Sequence, residues 1–287
     1  MVSNEQRRRQ LAREKYLRQQ QRRETARRKS RQRNVVIAAV LAVVLAGGGA
    51  VAATGALAGN GKDKKDDAAA SATPSAAPSS KAPDPCAKEA KAVAGEKPKK
   101  MSWKKEPEVT VDKSASYTMK LETTCGDMSV TMDAGKAPHT VNSFDFLAGK
   151  GYFDHTKCHR LVNSGIYVLQ CGDPQGTGAG GPGYTLPDEN LKDPSIKGGK
   201  YPAGTVAMAN QYNPQTKQGK NTGGSQFFLV YKESELPPYY TPFGTVDEAG
   251  MKVLKKIANA GAGAPDQTMN TAPNASVVIN KATVGKS

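Results

Sequence analysis

Cys158-His159-Arg160-Leu161-Val162-Asn163-Ser164-Gly165-Ile166-Tyr167-Val168-Leu169-Gln170-Cys171 reads as two short strands, 160–162 and 167–170, folded about Ser164-Gly165. The same period continues on either side. Upstream, Tyr117-Thr118-Met119-Lys120-Leu121-Glu122-Thr123 alternates apolar and polar as a half-buried strand does. Met128-Ser129-Val130-Thr131-Met132 repeats the alternation after a Gly126-Asp127 turn. Residues 138–149 switch to helical spacing, with Val141, Phe144, Leu147 and Ala148 on one face and Gly149 as a stop. Downstream, strands are expected at 205–209, 226–230 and 276–279. A second helix over 250–260 carries Val253, Leu254 and Ile257 and ends at Gly261. Many short strands, two helices and long Gly/Pro loops predict a mainly β domain, a closed antiparallel barrel with two helical caps.

Outside this region the chain changes character. Of 287 residues, only 37% are hydrophobic and 6% aromatic, too few for the whole chain to pack into cores. The net charge of +15 suggests nucleic acid until it is mapped along the chain. Residues 1–34 carry a net +10, residues 59–115 a net +3 and residues 116–287 only +2. The C-terminal part therefore has no electrostatic footprint for DNA or RNA, and no nucleic-acid partner is expected.

Residues 35–58 are an uncharged run of 24, long enough to cross a bilayer as a helix. The Arg-rich segment before it orients that helix, with the N-terminus inside and the domain outside the cytoplasmic membrane. Ala56-Leu57-Ala58 resembles a signal-peptidase site, and cleavage there would release the domain. The basic region and the apolar run are both longer than a cleaved signal uses, so an uncleaved anchor is favoured. Residues 59–107, rich in Ala, Ser, Pro, Lys and Asp, read as a disordered linker, with Trp103 packing on the domain edge. The folded domain is assigned to 108–287, and a monomer is expected.

Two motifs lose on their context. Gly176-Thr177-Gly178-Ala179-Gly180-Gly181 matches a dinucleotide fingerprint, but Pro182-Gly183 follows where a helix would have to start. Cys86, Cys125, Cys158 and Cys171 show no C-x-x-C, and His139, His155 and His159 no H-E-x-x-H, so neither metal nor cofactor is expected. Outside the membrane four cysteines can pair in three ways. Cys158 and Cys171 stand equidistant from Ser164-Gly165, which favours joining them and leaves Cys86 for Cys125. Free thiols remain the alternative, because the compartment is itself inferred.

The hairpin residues, together with Ala207-Met208-Ala209-Asn210, Asn221-Thr222-Gly223-Gly224-Ser225-Gln226-Phe227-Phe228 and Pro242-Phe243-Gly244, resemble the cyclophilin family of peptidyl-prolyl isomerases. The resemblance runs from about Tyr117 to the C-terminus and implies an eight-stranded closed barrel with two capping helices. It implies that Arg160 is the catalytic arginine, with Gln170 and Gln226 as polar partners near the substrate backbone. It places Tyr167, Val168, Phe228 and Leu236 in the apolar proline pocket, Ala209 and Asn210 on the strand that bonds the substrate, and Tyr240 at the far wall. Three positions depart from the family pattern: an extension of about two residues at Asn163-Ser164, Cys158 in place of Phe, and Leu236 in place of an aromatic. The last implies weak cyclosporin binding.

The implied activity is a rotamase acting on X-Pro bonds of unfolded or exported chains, with proline-containing polypeptides as partners. The alternative is a proline-peptide binding module or holdase with incidental turnover. The presence of Arg160 and Gln226 favours the enzyme, since a pure binder needs no transition-state donor.

Overall fold

The computed structural model describes residues 83–213, 216–265 and 271–287. A short helix, α1 (Ala87–Ala92), comes first, followed by the hairpin β1 (Ser116–Thr123) and β2 (Met128–Asp133) and the helix α2 (Pro138–Gly149). Next are β3 (Thr156–Lys157), β4 (Arg160–Ser164), β5 (Ile166–Cys171), β6 (Lys200–Tyr201), β7 (Thr205–Met208), β8 (Phe227–Val230) and β9 (Ser234–Glu235). The chain closes with β10 (Pro242–Val246), α3 (Glu248–Asn259) and β11 (Val278–Lys286). Nine strands form one sheet in the order β3-β11-β1-β2-β10-β7-β8-β5-β4, and β6 pairs with β9 apart from it. Each ladder is antiparallel.

This corrects the expected closed eight-stranded barrel. The sheet has nine strands, curls, and stays open between β3 and β4, which no ladder joins. The reason lies in what covers the β4 edge. Leu161 N–H donates to the Thr271 carbonyl at 2.8 Å and Cys158 N–H to the Val277 carbonyl at 3.0 Å, so irregular backbone takes the place of a strand. Covering an edge with a loop satisfies its donors without closing the ladder.

Helix α2 starts on Pro138, whose missing N–H costs nothing in a first turn, and buries Val141, Phe144, Leu147 and Ala148 against the sheet. Phe144 meets Phe153, Phe227 and Phe243 at centroid distances of 5.3, 5.4 and 4.8 Å. Helix α3 begins two residues earlier than its apolar spacing suggests. The Asp247 side chain caps it, accepting from Gly250 N–H at 2.9 Å. Strand β11 runs well past the predicted 276–279. Its second half is half exposed and carries no clean alternation, and pairing with β1 from Lys286 back to Ile279 supplies the order.

The ordered unit also begins earlier than 108. Cys86 is bonded to Cys125. Trp103 donates its N–H to the Pro182 carbonyl at 2.8 Å and lays its ring on Phe146 and Tyr152, at 5.1 and 5.9 Å. Residues 84–107, read as linker from their Pro/Lys composition, are thus strapped to the domain. One disulfide and one aromatic anchor do what composition could not reveal. The basic segment 1–34, the apolar run 35–58 and residues 59–82 lie outside the described residues. Among the described residues, no helix is long and apolar enough to cross a membrane.

Candidate active site

The β4–β5 ladder pairs Arg160 with Gln170, Val162 with Val168 and Ser164 with Ile166, so these side chains share one face of the hairpin. The register centres on Gly165, whose φ of 77° suits a residue without Cβ. Cys158 and Cys171 are bonded, clamping the base of the hairpin. Because the register centres on Gly165 and not between Ser164 and Gly165, the bond runs diagonally from just outside β4 to the last residue of β5.

From Arg160 a chain of polar side chains crosses β4 and β5 and ends at Gln226, just ahead of β8. Its Nη1 donates to Gln170 Oε1 at 3.3 Å, and Gln170 Nε2 donates to Gln226 Oε1 at 2.9 Å. Gln226 Nε2 then donates to the carbonyls of Gly178 and Gly180, at 3.0 and 2.8 Å. Each amide spends its oxygen on one neighbour and its N–H on the next, which fixes both rotamers. The guanidinium offers five N–H donors, and among the described residues Gln170 engages one of them. Burial lowers the Arg160 pKa, opposed by the Tyr240 phenol, and the group stays cationic at neutral pH.

The Gly-rich loop that ends this chain is wound around a carboxylate. Asp173 is fully buried and accepts from the backbone N–H groups of Gln175, Thr177, Gly178 and Gly180 at 2.7, 2.9, 2.7 and 3.1 Å. Burial pushes its pKa up, but the backbone amides of Gln175, Gly180, Gly178 and Thr177 outweigh that and hold it below the usual value. A Cβ on Gly180 would collide with the Asp173 carboxylate. The G-x-G-x-x-G spacing thus serves the chain's own anion, and no helix opens after it.

Beside Arg160 lies a small cavity of about 130 Å³, walled by Arg160, Ile166, Val168, Gln170, Ala209, Asn210, Phe228, Leu236 and Tyr240. Phe228 meets Tyr240 edge-on at 5.4 Å. The Tyr240 backbone is set from beneath by the fully buried Tyr201, whose hydroxyl donates to its carbonyl at 2.9 Å. Burial pushes the Tyr201 pKa up to about 12, which keeps that hydroxyl a donor. Asn210 Nδ2 donates to the Tyr239 carbonyl at 2.6 Å, tying the far wall to the strand side.

Nine of the ten residues singled out from the sequence converge here: eight on the cavity wall, and Gln226 one hydrogen bond behind it. Tyr167 does not. Its ring points away from the cavity, edge-on to Tyr231 at 5.9 Å with Lys232 Nζ 4.4 Å above it, and Ile166 fills the wall instead. Adjacent strand residues face opposite ways, so Tyr167 and Val168 cannot both line one pocket. Counting back by twos from Gln170 gives Val168 and Ile166, a signal present in the sequence. His159 is also buried, and neither ring nitrogen has a hydrogen-bond partner among the described residues. Burial lowers its pKa and the Arg160 cation adds to this, against the Asp173 anion, so the ring next to Arg160 is kept neutral.

A family model described as "Cyclophilin type peptidyl-prolyl cis-trans isomerase/CLD" matches residues 118–284, more than half of the chain. The chain belongs to the cyclophilin family. Among its relatives, a probable peptidyl-prolyl cis-trans isomerase B of Mycobacterium leprae is 45% identical over 159 residues, 51% of this chain and 50% of that protein. Peptidyl-prolyl cis-trans isomerase B of Bacillus subtilis is 39% identical over 124 residues, 43% of this chain and 77% of that one. The match to the mycobacterial relatives therefore spans about half of their length. A crystal structure of a Cryptosporidium parvum cyclophilin-type isomerase covers 60% of this chain and 99% of its own, at 27% identity and a TM-score of 0.47. In this cyclophilin, a cation held by one amide, itself braced by a second, borders a largely apolar hole, and no group of His, Cys, Asp and Glu among the described residues is placed to hold a metal.

Proposed function

We propose that this cyclophilin domain accelerates cis/trans rotation about X-Pro bonds in polypeptides. The observation that carries the proposal is the Arg160 guanidinium on the wall of the small apolar cavity, bonded to Gln170, which Gln226 holds in turn. The X-Pro bond resists rotation because its C–N bond has partial double-bond character, with a barrier of roughly 18–20 kcal/mol. At the twisted transition state that resonance is lost, and the prolyl nitrogen gains a localised lone pair. A fixed cationic donor can bond that lone pair there and hardly at all in the planar ground state, which is the differential binding catalysis requires. Every 1.4 kcal/mol or so gained this way is worth about tenfold in rate. Val168, Phe228, Leu236 and Tyr240 would hold the ring while the other side of the bond turns. Nucleophile, metal and cofactor have no part in such a step.

The domain is further proposed to act outside the cytoplasmic membrane on unfolded or exported chains, tethered through 35–58. Two disulfides within one domain favour an oxidising compartment. The test of activity is cis/trans exchange on an Ala-Pro-Phe peptide, followed by NMR, with the purified chain and its Arg160→Ala variant. Acceleration that falls by one to three decades in a folded variant supports the proposal. Binding without acceleration by the wild-type chain would leave a proline-peptide binding module instead.

A further inference from the structure

A larger groove of about 760 Å³ adjoins the cavity. The two share Gln170, Ala209 and Asn210, so a polypeptide with its proline in the cavity would run on into the groove. One wall is the loop wound around Asp173. The other feature is foreign to the matched domain: Lys104, Lys105 and Glu106 come from the N-terminal strap, ahead of residue 118.

The strap is built into that place. Trp103 N–H bonds Pro182 O, its ring is wedged against Phe146 and Tyr152, and Gly183 passes so close that a Cβ there would strike Ser102 and Trp103. Glu106 turns toward α2, its Oε2 lying 3.2 Å from His139 Nδ1, and its hydrogen bond there leaves the carboxylate's charge in place. Lys104 and Lys105 are exposed, and neither has an ion-pair partner among the described residues. The remaining lining is backbone and neutral side chains. Nearby Asp188 is not on this wall, and its carboxylate accepts from Asn221 N–H and from Asn210. The groove thus carries two adjacent lysines against one carboxylate, a positive balance on an anchored edge next to the proline pocket.

We propose that the strap makes this groove a subsite for an acidic side chain of the polypeptide substrate, with Lys104 and Lys105 as the specificity-determining residues. The inference rests on the isomerase reading for the identity of the ligand, a proline-containing chain. Each lysine acts as a point charge in a solvated groove, so the preference is modest and salt-sensitive.

The test uses the full chain and two peptide sets, Xaa-Ala-Pro-Phe and Ala-Pro-Phe-Xaa, with Xaa as Glu, Gln or Lys. Exchange rates by NMR and affinities by titration are read at low and high salt. At one of the two positions the Glu peptide is expected to exceed the Lys peptide by about three- to tenfold in kcat/KM and in affinity, with Gln between them and the gap closing at high salt. The ratio falls to near one in Lys104→Gln/Lys105→Gln and inverts in Lys104→Glu/Lys105→Glu. Trp103 fluorescence and thermal unfolding check that the strap stays docked in both. Equal values for the three peptides in the wild-type chain, or a Glu preference that survives the double Glu variant, would overturn the inference. Tighter binding of Glu peptides without turnover of any peptide would sustain the subsite and remove the isomerase reading. Turnover without charge preference would do the reverse.

Discussion

Phe227 and Phe228 are neighbours on β8 and have opposite fates. Phe227 packs into the ring cluster under α2 and is wholly buried by Phe144 and Phe153. Phe228, 5% exposed, belongs to a smaller apolar cluster with Val168, Ile196, Tyr201, Ala207 and Val230, and its ring walls the cavity. One face of the sheet is filled to the density of a core. The other stops short, leaving a hole the size of a small ring with a cation at its edge. Burial alone does not separate the two residues. What separates them is whether the space beyond the ring is occupied.

That contrast is sharpest in truncation. Phe227→Ala empties a closed core and is expected to cost about 3–5 kcal/mol of stability, read by denaturant unfolding, while molecules that remain folded keep their exchange activity. Phe228→Ala widens a cavity that already opens to solvent, so it should cost less than half as much stability and lower kcat/KM at least tenfold. The opposite pattern would dissolve the distinction between the two faces.

The next effect tests what holds the chemical face together. Replacing both Cys158 and Cys171 with Ser frees a closed loop of about 14 residues and should cost about 3 kcal/mol, by the chain-entropy argument. The loss is expected to be accompanied by slower exchange, because the hairpin carries both Arg160 and Gln170. A variant equally active when folded would show that the clamp serves stability alone.

Asp173→Asn is expected to cost about 2 kcal/mol, since an amide cannot accept from all four backbone donors. It should also slow exchange through Gln226, whose acceptors are the carbonyls of that loop. The core face has no counterpart to this dependence.

The smallest effect is one of pH. His159 is buried and neutral, with its pKa below 6.5, so between pH 6.5 and that lower value the unfolded chain takes up a proton that the folded chain refuses. Stability is therefore full above pH 6.5 and declines as pH falls below it. A second decline begins near 3.8, where the unfolded chain protonates the residue matching Asp173, whose folded pKa is lowered. Thermal unfolding from pH 8 to 3 should show both steps, and His159→Gln should remove the first.

The sequence made the sheet legible where alternation was strong, as in β1, β2 and the β4–β5 hairpin, and helix α2 was readable residue by residue from its apolar spacing. It hid β10, where Pro242 and Gly244 leave no alternation to mark a strand, and the second half of β11, which is held by its partner and not by its own pattern. The open edge between β3 and β4 was hidden as well, since nothing local distinguishes a covered edge from a paired one. At the site, resemblance located Arg160, Gln170 and Gln226, while their mutual hydrogen bonds depend on a register and on rotamers that no local pattern encodes. Tyr167 was misplaced by one residue because the extension at Asn163-Ser164 blurred the count, though strand alternation would have corrected it. Of the strap 84–107 the two anchors were legible, Cys86 as the partner left for Cys125 and Trp103 as a ring on the domain edge, while the composition between them read as linker and hid its docking.

The claim on which the rest depends is that Arg160 acts on the twisted bond and not on the resting peptide. Steady-state exchange on the Ala-Pro-Phe peptide with Arg160→Gln measures this directly. The account predicts a kcat lowered by at least tenfold with KM within about twofold of wild type, because an interaction made only in the transition state has been removed. A raised KM with kcat unchanged would contradict it, and would make Arg160 a residue that merely binds.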